Sequence, residues 1–158
     1  MRILARMLDL DLHANALADG IVAALPRWVE RSVDRIYRAW AGPPPAAVVE
    51  AAQRAGRVAA EDVGARVRDL LAADVDAQRS TPLTLVREAV VYPTTVLADA
   101  RVAPVVRDDS DQAMFPEDTY GLTPANFADL DPALADVGLR WGAAKAWVHR
   151  ERHRPTSQ

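Results

Sequence analysis

The chain reads as an all-α, single-domain, irregular bundle of five to seven helices, with one helix kinked at a proline. Three observations lead there. Half of the 158 residues are apolar and alanine abounds, whereas glycine, at seven residues, is scarce. Apolar side chains return at three- and four-residue steps along most long segments. No alternating run bounded by a two-residue glycine turn occurs, so nothing points to a hairpin-built sheet. The length suits one core, with residues 1–152 as the helical domain and 153–158 as a disordered tail.

Taken in order, residues 3–25 carry Leu8, Leu12, Leu17, Ile21 and Leu25, and Asp9 or Asp11 is placed to cap a helix ending at Leu25. Pro26 then fits the first turn of a second helix, PRWVERSVDRIYRAW. Its apolar face is Trp28 or Val29, Val33, Ile36, Tyr37 and Trp40, and arginines line the other side. Gly42-Pro43-Pro44-Pro45 makes a stiff corner, because three prolines offer no amide hydrogens. A long helix from about Ala46 to Asp74 follows. Small residues at Ala52, Gly56 and Ala59 on its stripe invite close approach by another helix.

Leu83, Val86, Val90, Pro93, Leu97 and Ala100 form one stripe whose phase survives Pro93. That continuity favours a kinked helix over a stop at Tyr92 with a new start at Thr94 or Thr95. Thr81-Pro82, Thr123-Pro124 and Asp131-Pro132 repeat one device, a capping side chain followed by proline, and so predict three helix starts. The second opens a short helix with Phe127 and Leu130, and the third opens the last long helix. The expected core draws on Trp28, Ile36, Val63, Leu70, Val86, Val90, Leu97, Trp141 and Val148.

Composition narrows the function. A net charge of −3 argues against general affinity for nucleic acid. The chain has no cysteine, so disulfides, thiolate metal sites and cysteine nucleophiles are out. Arg2 and Arg6 are followed by Asp9 and Asp11 with no apolar run, so the N-terminus does not read as a signal peptide. No segment approaches a membrane span. The expectation is a soluble cytoplasmic protein.

Four constellations are candidates for chemistry. Asp108, Asp109 and Asp111, with Glu117 or Asp118, could offer oxygens to a hard cation. Counted from Asp109, however, a calcium loop would need a ligand at Ala113 and glycine at Met114. A solvated helix start is the better account. His149 and His153 stand four apart but are flanked by arginines and lack the HExxH order, so no metal site is assigned. Lys145, the only lysine, reads as an amine whose stem packs on Trp141 rather than as a Schiff-base former. The face of Arg27, Arg31, Arg35 and Arg38 is interleaved with Glu30 and Asp34, which blunts any phosphate-binding field. Phosphate loops, nucleophile elbows and zinc patterns are absent from the sequence.

The segments VREAVVYPTTVLADARVAPVVRD and AMFPEDTYGLTPANFADLDPALADVGLRWGAAKA resemble small conserved actinobacterial proteins with no assigned function. The resemblance covers about the C-terminal half. It implies no activity, ligand or residue role.

These readings converge on a non-catalytic interaction or regulatory protein with no catalytic residue, cofactor or metal. Its contact surface is expected to be the acidic and aromatic loop Asp108, Asp109, Asp111, Phe115, Glu117, Asp118 and Tyr120, facing a basic protein partner. The alternative is a small-ligand or enzymatic pocket beneath Pro93, lined by Tyr92, Thr94, Thr95 and Asp99. Whether the chain forms a homo-oligomer is left open by the residues.

Overall fold

Asp9 begins the first helix as its N-cap, its carboxylate accepting the amide hydrogens of Asp11 at 3.1 Å and Leu12 at 3.3 Å. A computed structural model describes residues 9–73, 81–105 and 118–152. Those residues are helical throughout their regular elements, and no strand occurs among them. The elements are α1 (Leu10–Ala41), α2 (Ala46–Ala73), α3 (Thr81–Glu88), α4 (Val91–Asp99), a 3₁₀ turn (Phe127–Asp129) and α5 (Leu134–Arg152). No helix among the described residues is long and apolar enough to cross a membrane.

α1 corrects one expected boundary. The sequence placed a helix end at Leu25 and a start at Pro26, yet one helix of 32 residues runs through that proline. A proline in a helix interior forfeits one amide hydrogen bond and crowds the preceding turn, which costs about 3 kcal/mol. Burial on both sides offsets that cost: Leu25, Trp28 and Val29 are each at most 5% exposed. Gly42, at φ 87°, ends α1 by returning its amide to the Arg38 carbonyl at 3.1 Å. The prolines then turn the chain into α2, whose first amides, from Val48 and Val49, meet the Pro45 carbonyl.

α2 runs antiparallel to α1. Gly56 lies against Pro26 and Gly64 against Val22, while Arg68 pairs with Asp19, so numbers rise on one helix as they fall on the other. A Cβ built on Gly56 would lie 2.9 Å from Pro26 Cα and 3.0 Å from its carbonyl oxygen, so only glycine allows this crossing. Ala52 and Ala59 are buried on the same stripe.

α3 and α4 meet at Ala89–Val90. There the bonds tighten to three-residue steps: Ala89 to Val86, Val90 to Arg87 and Tyr92 to Ala89, all at 3.1–3.2 Å. Pro93, which has no amide to give Ala89, sits in the first turn of α4 and is fully buried. The interruption therefore precedes Tyr92, and α4 is continuous through Thr94 and Thr95.

α4 ends in a Schellman turn. Ala100 is the cap, Arg101 takes φ 62°, its amide meets the Ala98 carbonyl, and the Val102 amide meets the Leu97 carbonyl. Thr123-Pro124 opens no α-helix. Instead Asn126 caps the 3₁₀ turn at Phe127–Asp129, and the Asp129 carboxylate accepts the Ala125 and Asn126 amides. Asp131 does begin the approach to α5, its carboxylate accepting the Ala133 amide at 2.9 Å.

The buried residues form two clusters strung along α1 and α2. One holds Leu17, Ile21, Leu25, Trp28, Val63, Val67, Val86, Leu130, Leu134 and Trp141. The other holds Val33, Ile36, Ala52, Val96, Leu97, Val102, Tyr120 and Leu122. Of the expected core, Leu70 is only partly buried and Leu71 takes its place, while Val90 and Val148 are also half-buried. α2 exceeds seven turns, so a small error in the assumed pitch accumulates to a full residue by its end.

Candidate functional site

Two of the seven expected contact residues, Asp118 and Tyr120, fall among the described residues. Asp108, Asp109, Asp111, Phe115 and Glu117 lie outside the described residues. Asp118 and Tyr120, expected beside them on the surface, are turned inward at 3% and 4% exposure. The reason is local. Asp118 accepts the Leu122 amide at 2.8 Å and both the amide and hydroxyl of Thr123 at 2.7 Å, so its carboxylate organises the turn around Gly121. Gly121 itself has φ 68°.

Tyr120 does a second job. Its hydroxyl donates to the Val102 carbonyl at 2.9 Å inside the second core cluster. Val102 and Tyr120 flank the acidic stretch in sequence, so this one bond holds the chain before it against the chain after it. Burial raises the Tyr120 pKa and keeps the donor neutral. Beyond this staple, two arginines hold the segment that follows. Arg87 donates from Nε to the Pro124 carbonyl and from Nη2 to that of Ala125, at 3.1 and 3.2 Å. Arg31 donates to the Leu130 carbonyl at 2.7 Å.

The residues expected to line a pocket under Pro93 differ in their surroundings. Tyr92 is half-buried and donates its hydroxyl to Asp62 Oδ2 on α2. Its pKa is pushed up from 10.0 to about 12, first by burial, then by the hydrogen bond to Asp62 and that carboxylate's charge, against an opposing pull from Arg66. The Thr95 hydroxyl donates to the Val91 carbonyl at 2.7 Å. The Thr94 hydroxyl is buried without a hydrogen-bond partner. Asp99 faces solvent.

Among the described residues, clefts lie along the second half of α1. An open one of 580 Å³ is lined by Trp28, Glu30, Arg31, Ser32, Asp34, Arg35 and Asp129. A smaller one of 150 Å³ lies between Glu30, Val33, Asp34, Pro44, Val49 and Ala52. Much of the charge in the larger cleft is committed. Arg38 grips both oxygens of Asp34 at 2.9 Å, Arg31 serves Leu130, and Asp129 serves its own turn. With signs interleaved, the cleft presents no single-sign field of the kind that gathers phosphates.

Sequence reasoning read Arg31 as part of a solvated face and did not single out Arg87 or Asp129. A signal for Asp129 existed in Asn126, three residues upstream, which makes the capping-box spacing. The arginine clasps depend on carbonyls 99 and 37 residues away, and no local pattern announces them.

Lys145 is 9% exposed, its ammonium 5.2 Å from the Trp141 ring centroid. Among the described residues, no group of three or more His, Cys, Asp or Glu side chains stands close enough to hold a metal. Compared with known families, curated proteins and solved structures, the chain matches none.

Proposed function

We propose that the chain is a small, non-catalytic, cytoplasmic interaction or regulatory protein that meets a basic protein partner through its acidic stretch. The contact residues are Asp108, Asp109, Asp111, Phe115 and Glu117, with Asp118 and Tyr120 as the internal fixings of the base rather than as contacts. The observation that carries this reading is the Tyr120–Val102 hydrogen bond, which draws together the two ends of that stretch. Four carboxylates between fixed ends suit a complementary cationic surface, since ordering the base beforehand lowers the entropic cost of binding. Behind it stands an irregular bundle of five to seven helices, with the Ala89–Val90 interruption serving as the bend that the sequence locates at Pro93. A ligand pocket beneath Pro93 has less support, because Pro93 is fully buried.

The test is a pull-down from extract with the native chain and a variant carrying Asp108→Lys, Asp109→Lys and Asp111→Lys. Partners held by the native chain should be lost from the variant and released by salt, while circular dichroism stays unchanged. A folded variant that keeps every partner overturns the assignment.

A further inference from the structure

The outward face of α5 carries a pattern the core does not use. Leu134, Trp141, Ala144 and Lys145 turn inward. Asp136, Leu139, Ala143, Trp147 and Arg150 are left exposed on the opposite side. At 3.6 residues per turn, these five fall within about 80° of arc. Leu139 is 73% exposed and Trp147 40%. Beside Ala143, Gly142 leaves room for a neighbour, since a Cβ built there would meet nothing within 4 Å.

The order of the five is symmetric about Ala143. Leu139 stands as far before it as Trp147 stands after it, and the same holds for Asp136 and Arg150. We propose that α5 is the contact helix of a homodimer, packed antiparallel on α5 of a second copy across a two-fold axis at Ala143. That operation brings Leu139 of each copy beside Trp147 of the other, and Asp136 beside Arg150, so each contact forms twice. The Ala143 methyls meet at the crossing, where small residues let helix axes approach to about 8 Å. A parallel pairing would instead set Asp136 against Asp136 and Arg150 against Arg150, placing like charges together.

The pattern matches itself and so selects a second copy over an unrelated partner. Asp136 and Arg150 cannot satisfy each other within one chain, being about 21 Å apart along the helix. Asp136 does hold Arg140 at 2.8 Å, but that pair is well exposed and adds little by itself. A single helix pair is small beside the roughly 1,200 Å² at the low end of stable interfaces, so the dimer is a weak, concentration-dependent one.

Sedimentation equilibrium of the full chain over a wide concentration range tests this. The native chain should pass from monomer to dimer mass, and Leu139→Glu should stay monomeric. Asp136→Arg and Arg150→Asp should each weaken self-association by about tenfold or more. Mixing those two variants should restore dimers, because every contact between unlike copies then joins opposite charges at positions 136 and 150. Circular dichroism of each variant alone establishes that it is folded. A native chain monomeric at every concentration overturns the proposal, as do folded single variants that dimerise undiminished or a mixture that fails to associate.

Discussion

Gly56 of α2 lies backbone to backbone against Pro26 of α1, with no space for a side chain between them. Gly56→Ala should therefore destabilise the fold by about 1–3 kcal/mol, because the obstructing atoms are main-chain and cannot rotate away. That loss exceeds the roughly 1 kcal/mol alanine ordinarily gains over glycine in a helix. Gly142→Ala is the contrasting case. Its added methyl meets nothing, so stability should rise by about 0.5–1 kcal/mol. Urea denaturation of the two variants reads both signs.

Alkaline pH should weaken the fold through Tyr92 and Tyr120. Both hydroxyls have pKa values raised above 10.0 in the folded chain, Tyr92 to about 12. The unfolded chain thus loses these protons first. The stability they contribute is complete below pH 10 and disappears as pH climbs from 10 to 12. Tyr92→Phe should flatten that decline, measured as the denaturation midpoint over the same pH range. A midpoint that falls equally steeply in the variant would refute the assignment.

Removing the Asp118 carboxylate should be costlier than removing the Tyr120 hydroxyl. Asp118→Ala strips the Leu122 and Thr123 amides and the Thr123 hydroxyl of their acceptor, at about 3 kcal/mol in total. Tyr120→Phe leaves one buried carbonyl unmet, at about 1–2 kcal/mol. Thermal melts with matching chemical denaturation would rank the two. Hydrogen exchange should quicken at Leu122 and Thr123 only in the Asp118 variant.

Arg101 occupies a left-handed position that glycine normally fills at a helix end. Arg101→Gly should stabilise the chain by about 1 kcal/mol, since a side chain at positive φ carries steric strain that glycine lacks. A drop in the denaturation midpoint would mean that the Arg101 side chain contributes more than its backbone costs.

What could be read from the residues alone was whatever short-range chemistry dictates. Asp9 and Asp11 both announce a helix start, and it is the Asp9 carboxylate that reaches amides two and three residues on. The small residues at positions 52, 56 and 59 announce a close approach of another helix, and Gly42–Pro45 announces a stop and a stiff corner. Pro26 misled for the same reason that it is locally a helix breaker: the penalty is local, whereas the burial that overrides it comes from α2 and α5. Asp118 and Tyr120 looked like surface groups because aspartate and tyrosine in a polar stretch usually are. Their inward turn depends on Leu122, Thr123 and Val102 being already in place.

The bond between Tyr120 and Val102 has an evolutionary corollary. Because the acceptor is a main-chain carbonyl, position 102 can change its side chain and keep the bond, whereas position 120 cannot lose its hydroxyl and do so.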